Sequence, residues 1–231
     1  MTDPNHRELP DEQGAGSAWP VLSSVQARIL GCLIEKAITT PDQYPLTLNA
    51  LVNACNQKSN RDPVMSLSES DVVAGLDGLR HDHRLAALVH TSGSRVEKYR
   101  HSISDVIKLN PEQAAILCEL LLRGPETVGE LRTRASRMHE LRDLNHVQQL
   151  LDELATHPGG RLVVKLPREP GRRESRWMHL LCGEVDVESV VAAAPDTSMN
   201  DSSDLQQELA QLRAELESLK AEFAQFKQQF D

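Results

Sequence analysis

The sequence predicts a mainly helical α+β protein built from two copies of one unit, three helices and a small β-hairpin, followed by a C-terminal coiled-coil helix. Three observations carry this. Leu22-Ser-Ser-Val-Gln-Ala-Arg-Ile-Leu30 opens one half and Leu109-Asn-Pro-Glu-Gln-Ala-Ala-Ile-Leu117 opens the other. Lys98-Tyr-Arg-His101 closes the first and Arg176-Trp-Met-His179 closes the second. A supersecondary unit used twice leaves this kind of self-similarity. Aromatic residues make up only 3% of the chain, so any core is aliphatic, and its Leu, Val, Ile and Ala suit helices. Finally, Leu205, Leu209, Leu212, Leu216, Leu219, Phe223, Phe226 and Phe230 recur at alternating spacings of 4 and 3, a heptad seam.

Residues 1–20, rich in Pro, Gly, Asp and Glu, read as a disordered leader. The first unit spans 21–103. Ser23 with Gln26 is a capping box, and Val25, Ile29, Leu33 and Ile34 form the stripe of the first helix, which Thr40-Pro41 stops. A second helix from about Thr47 turns Leu48, Leu51, Val52 and Cys55 inward. After the loop 57–64, a third starts near Ser68, with Val72, Val73, Leu76 and Leu79 on one face. Strands at 85–90 and 96–102 flank Ser92-Gly93-Ser94 as a hairpin.

The second unit spans 104–183. Asn110, Pro111 and Gln113 start its first helix, with Ile116, Leu117, Leu120 and Leu121 as the stripe, and Gly124-Pro125 breaks it. Thr127 and Glu130 box the second helix. Asp143 opens the third, with Val147, Leu150, Leu151 and Leu154 inward, and Pro158-Gly159-Gly160 ends it. Strands at 162–166 and 175–181 flank the loop 167–174. Three helices and a hairpin, repeated, is the element order of tandem winged-helix domains, whose last helix enters the major groove in DNA-binding relatives. Residues 184–203 read as a flexible linker and 204–231 as the coiled-coil helix. In a parallel dimer, Glu208, Glu215 and Glu222 face the partner's Arg213, Lys220 and Lys227, which favours a homodimer. Docking of the seam on the chain's own body, or on another protein, stays open.

The net charge of −9 lies in the termini: residues 1–19 carry −3 and residues 184–231 carry −8, while the halves 20–101 and 102–183 each carry +1. Local clusters therefore decide any affinity for phosphate. Cys32, Cys55, Cys118 and Cys182 have no CxxC spacing and read as reduced, largely buried thiols. There is no apolar run long enough to span a bilayer and no secretory signal, so a cytoplasmic location is expected. His81-Asp-His83 does not share a helix face, and no metal or other cofactor is expected. GxSxG, HExxH, P-loop and dinucleotide fingerprints are missing, and nothing points to an enzyme.

Two basic groups are candidate nucleic-acid contacts. One is Gln57, Lys58, Asn60 and Arg61 before the third helix, with Arg95 and Lys98 on the first hairpin. The other is Arg132, Arg134, Arg137 and Arg142 around the second-to-third helix turn, with Arg168, Arg172 and Arg173 in the second hairpin loop. Arginine, lysine and amide side chains supply donors for phosphates and base edges. The alternatives are a turn that aims the third helix for the first group, and a solvated, salt-bridged face for the second.

Leu46-Thr-Leu-Asn-Ala-Leu51 and Cys55-Asn-Gln-Lys-Ser-Asn-Arg-Asp-Pro-Val-Met-Ser-Leu67, with Thr40-Pro-Asp-Gln-Tyr-Pro45 and Leu109-Asn-Pro-Glu-Gln-Ala114, resemble the signature of the YceH-like family of uncharacterised bacterial proteins. The resemblance covers about residues 20–182 and implies a tandem winged helix without catalytic residues to carry over. The expected function is a dimeric DNA-binding or transcription-associated protein; the alternative is a protein–protein interaction scaffold on the same fold.

Overall fold

The computed structural model describes residues 19–90, 96–169 and 171–185. Within them the chain is a mixture of helices and two small antiparallel sheets. The first repeat contains α1 (Ser24–Thr39), β1 (Leu46–Thr47), α2 (Leu48–Cys55), α3 (Glu69–Asp77), β2 (Ala86–Val89) and β3 (Lys98–His101). A short α4 (Ile103–Val106) leads into α5 (Pro111–Arg123), α6 (Val128–Ala135), α7 (Leu144–Ala155), β4 (Val163–Lys165) and β5 (Trp177–His179).

The helix starts follow their local chemistry. Full capping boxes form at Ser23/Gln26, Asn110/Gln113 and Thr127/Glu130, as the spacing predicts, and a further one forms at Ser68/Asp71. Thr47 and Asp143 cap α2 and α7 through their side chains. Each such cap contributes about 1 kcal/mol by satisfying backbone N–H groups left free in the first turn. Past Asp77 the third helix widens into a π turn, Gly78–Asp82, before β2.

The strands are shorter than the sequence predicts, and β1 and α4 are additions to it. β1 pairs with β3 on the side away from β2, with Leu46 opposite Tyr99. The second repeat keeps this as a single bridge, Glu126 opposite Trp177, beside the β4–β5 pair. In both copies the residue after the bridge position, Thr47 or Thr127, caps the next helix. The duplication therefore extends to an element whose two residues carry too little pattern to be read as a strand.

One apolar core runs through both repeats, from Leu22 to Leu181. α1 and α5 pack against each other at its centre. Every residue from Ala27 to Glu35 is buried, so α1 has no solvated face over that stretch. The approach is close: a Cβ on Gly31 would lie 2.8 Å from Leu122 Cδ2 and 3.2 Å from Leu121 Cβ. The Cys118 thiol donates to the Gly31 carbonyl across the same contact at 3.2 Å. The repeats are also tied at their ends. The Trp19 indole N–H donates to the Gly160 carbonyl at 2.9 Å, and the Leu22 N–H to the Leu181 carbonyl at 2.7 Å. Val73, expected on the inner face of α3, is instead 38% exposed, because the inward stripe is Val72, Gly75, Leu76 and Leu79. No helix among the described residues is long and apolar enough to cross a membrane. The heptad seam 205–230 lies outside the described residues.

Candidate nucleic-acid interface

The first basic group is drawn into the protein. Arg61 is 4% exposed, and both oxygens of Glu35 accept from its guanidinium, at 3.2 and 2.6 Å. It also donates to the carbonyls of Ala54 and Asn60 and to Gln57 Oε1. Burial alone would lower the Arg61 pKa, but the hydrogen bonds to Glu35 raise it above the ordinary value. With its donors spent internally, Arg61 presents nothing to a phosphate, and the expected contact there is corrected to a structural one.

Its neighbours follow it. Gln57 Oε1 also accepts from Lys36 Nζ at 3.4 Å. Asn60 adopts a left-handed backbone, φ 57°, and its Oδ1 accepts from Arg123 Nη2 at 2.7 Å. The Asp62 N–H reaches the Leu122 carbonyl at 3.0 Å. Loop 57–64 is thus a clasp on the end of α5. Of that loop's candidates, Lys58 alone is exposed, and Lys98 is half-buried on β3. Arg95 lies outside the described residues. The exposed side of α3 carries Glu69, Asp71 and Asp77, which repel phosphate.

The clasp belongs to a buried ionic network. Arg137 bridges Glu35 at 2.6 Å and Glu119 at 3.0 Å, and Arg123 pairs with Glu119 at 2.8 Å. Burial pushes the Glu35 carboxyl up, but the Arg61 hydrogen bonds and the Arg61 and Arg137 charges outweigh it and hold its pKa below the usual value. Arg28, buried beside it, donates to the carbonyls of Cys55, Pro63 and Leu122, and burial lowers its pKa.

The second basic group divides. Arg137 is spent in the network, and Arg134 pairs with the buried Glu126 and with Glu130. Burial raises the Glu126 pKa despite the Arg134 hydrogen bond. Both side chains stay partly exposed while their guanidinium groups are held by internal carboxylates. Arg132 is exposed and donates to the Arg142 carbonyl at 3.2 Å. Arg172 pairs with Glu169 at 3.5 Å, and Arg142, Arg168 and Arg173 are exposed.

Sequence reasoning missed further contributors. The side of α7 opposite its apolar stripe carries Asn145, Gln148 and Gln149, and Lys165 stands at the end of β4. The two glutamine amides donate to Asp152 and Glu153 one turn on, which fixes their orientation. The helical spacing of these amides against Val147, Leu150, Leu151 and Leu154 was the available signal. A cleft between α6, α7 and the β4–β5 hairpin brings Gln148 beside Lys165, Arg168 and Arg173.

A family model described as "Protein of unknown function, DUF480" matches residues 22–172. The chain belongs to the DUF480 family. Relatives named UPF0502 proteins cover most of its length. That of Vibrio parahaemolyticus is 52% identical over 198 residues, 83% of this chain and 91% of the relative. That of Geobacter sulfurreducens is 56% identical over 177 residues, 76% of this chain and 78% of the relative. That of Pelobacter propionicus is 48% identical over 219 residues, 91% and 99%. This is the uncharacterised bacterial family that the string around Asn56–Pro63 resembles. The DUF480 match stops at 172, short of β5, so it covers the clasp and most of the cleft.

Proposed function

We propose that this DUF480 protein is a non-enzymatic, cytoplasmic DNA-binding protein whose two repeats are winged helices, with duplex DNA contacted through the second repeat. The observation that carries this reading is the cleft side of α7. There the Gln148 amide stands beside a hairpin with cations that have no ion-pair partner among the described residues, Lys165, Arg168 and Arg173. A helix in the major groove with a basic loop on the backbone needs these two surfaces side by side. In this reading the first repeat is structural on its basic side, since Arg61 and Asn60 are consumed by the clasp. Dimerisation through residues 205–230 would pair two such surfaces.

Fluorescence anisotropy on a labelled duplex, at low and physiological salt, tests the reading. Binding should weaken steeply with salt through counterion release. Folded protein that binds at neither salt concentration refutes it. Removing residues 204–231 should halve the mass seen by light scattering, and an unchanged mass refutes the seam as the dimer contact.

The acidic side of α3 favours a second reading, a protein-interaction scaffold on the same fold. A stoichiometric protein partner that co-purifies after nuclease treatment, with no duplex binding, would select it.

A further inference from the structure

We infer that the cleft between α6, α7 and the β4–β5 hairpin is a binding site for a small organic anion: a carboxylate carried on an aromatic ring or branched aliphatic group. The placement on the α7–hairpin side rests on the proposed DNA surface; the ligand chemistry rests on the cleft. Its volume is about 390 Å³, within the range of small-molecule sites. Its lining divides by chemistry, with Val128, Leu144 and Trp177 apolar and Lys165, Arg168 and Arg173 cationic.

Two features of this lining go beyond a generic basic surface. Leu144 leaves 52% of its surface to solvent at the first position of α7, an apolar group where a solvated helix start would carry a polar one. Trp177 is 4% exposed, and its indole N–H is buried without an acceptor among the described residues. An enclosed donor left unpaired costs about 1–3 kcal/mol, a strain in the wall of the cleft. The Lys165 ammonium lies over the Trp177 ring, 6.0 Å from its centroid, which holds this cation against the wall of the cleft. Glu174 at the cleft sets the sign of selection: a zwitterion or cation gains little there, and a monoanion is met by an excess of two positive charges.

Inorganic phosphate satisfies only the cationic half of the lining. A ligand such as benzoate satisfies both halves, with its carboxylate against Arg168 and Arg173 and its ring against Leu144 and Val128. The same cations serve the proposed DNA surface, so occupancy of the cleft would compete with the duplex.

The chain has two tryptophans, Trp19 and Trp177, so Trp19→Phe leaves Trp177 as the sole indole reporter. Titrating that full-length variant with benzoate should give a saturable fluorescence change, half-complete at a concentration on the order of millimolar or lower. Inorganic phosphate at equal ionic strength should require at least tenfold more. Adding Arg168→Gln and Arg173→Gln, both exposed, should weaken benzoate tenfold or more with an unchanged urea midpoint. The inference is overturned by a non-saturating benzoate response, by equal potency of phosphate, or by a response that survives the double substitution. If Trp19→Phe does not fold, calorimetric titration of the unaltered chain with the same two anions gives the same comparison. A duplex that fails to bind in anisotropy removes the DNA reading and leaves the benzoate result standing.

Discussion

Glu35 and Arg137, 102 residues apart in the chain, meet at 2.6 Å across the junction of the two repeats. The same carboxylate takes Arg61 on its other oxygen at 2.6 Å. One buried acid thus fastens loop 57–64 and the α6–α7 turn to α1. A buried pair is often no more stabilising than a well-packed apolar substitute, but removing one partner leaves a charge stranded. The network holds the two repeats in register.

Arg61→Ala should therefore destabilise the protein by about 3 kcal/mol, the low end for breaking a buried pair, because Arg137 still holds the other oxygen of Glu35. Arg61→Glu should be worse, since it sets a carboxylate against a carboxylate. Urea unfolding reads both, and a midpoint within error of the unaltered protein for Arg61→Ala would sink the network as a stabilising feature.

Gly31→Ala tests the helix contact directly. The added methyl must displace Leu122, whose Cδ2 would stand 2.8 Å away, and it also presses on Leu121. Overpacking of this kind costs about 1–3 kcal/mol, more than the helix propensity that Ala returns. Thermal unfolding should show a lower Tm; a higher one would mean that α1 and α5 have room to part.

His179 sets a pH dependence. It is 3% exposed, and burial lowers its pKa from 6.5 to about 4. The unfolded chain takes up a proton on this residue at higher pH than the folded one, so protonation favours unfolding. The contribution is complete above pH 6.5 and falls away as pH drops toward 4, a change of up to ~3 kcal/mol. His179→Phe should flatten the urea stability profile between pH 6.5 and 4. An unchanged slope would show that His179 is not the group responsible.

On the proposed DNA surface, Arg168→Ala and Arg173→Ala should each weaken duplex binding and lower the slope of log K against log salt by about 0.9 for each phosphate that is no longer neutralised. Lys58→Ala on the first repeat should leave affinity and slope unchanged. If Lys58 and not the second hairpin governs the slope, the assignment of DNA binding to the second repeat fails.

The sequence by itself determined the duplication, the helix starts and most of the apolar stripes. Ser23, Asn110, Thr127 and Asp143 each cap a helix where their spacing says, because capping is a contact between residues two or three apart. The string around Arg61 was legible as specific, and it is. What it is specific for was decided by tertiary structure. Arg61 and Arg137 look like free cations when only their neighbours in sequence are read. Their shared partner Glu35 lies 26 and 102 residues away. Long-range packing likewise enclosed α1 on all sides, through α5 of the other repeat, and turned Val73 outward. The cleft also belongs to the tertiary level: Leu144, Lys165 and Trp177 stand far apart in sequence, and only the return of the β4–β5 hairpin past the start of α7 makes them one lining.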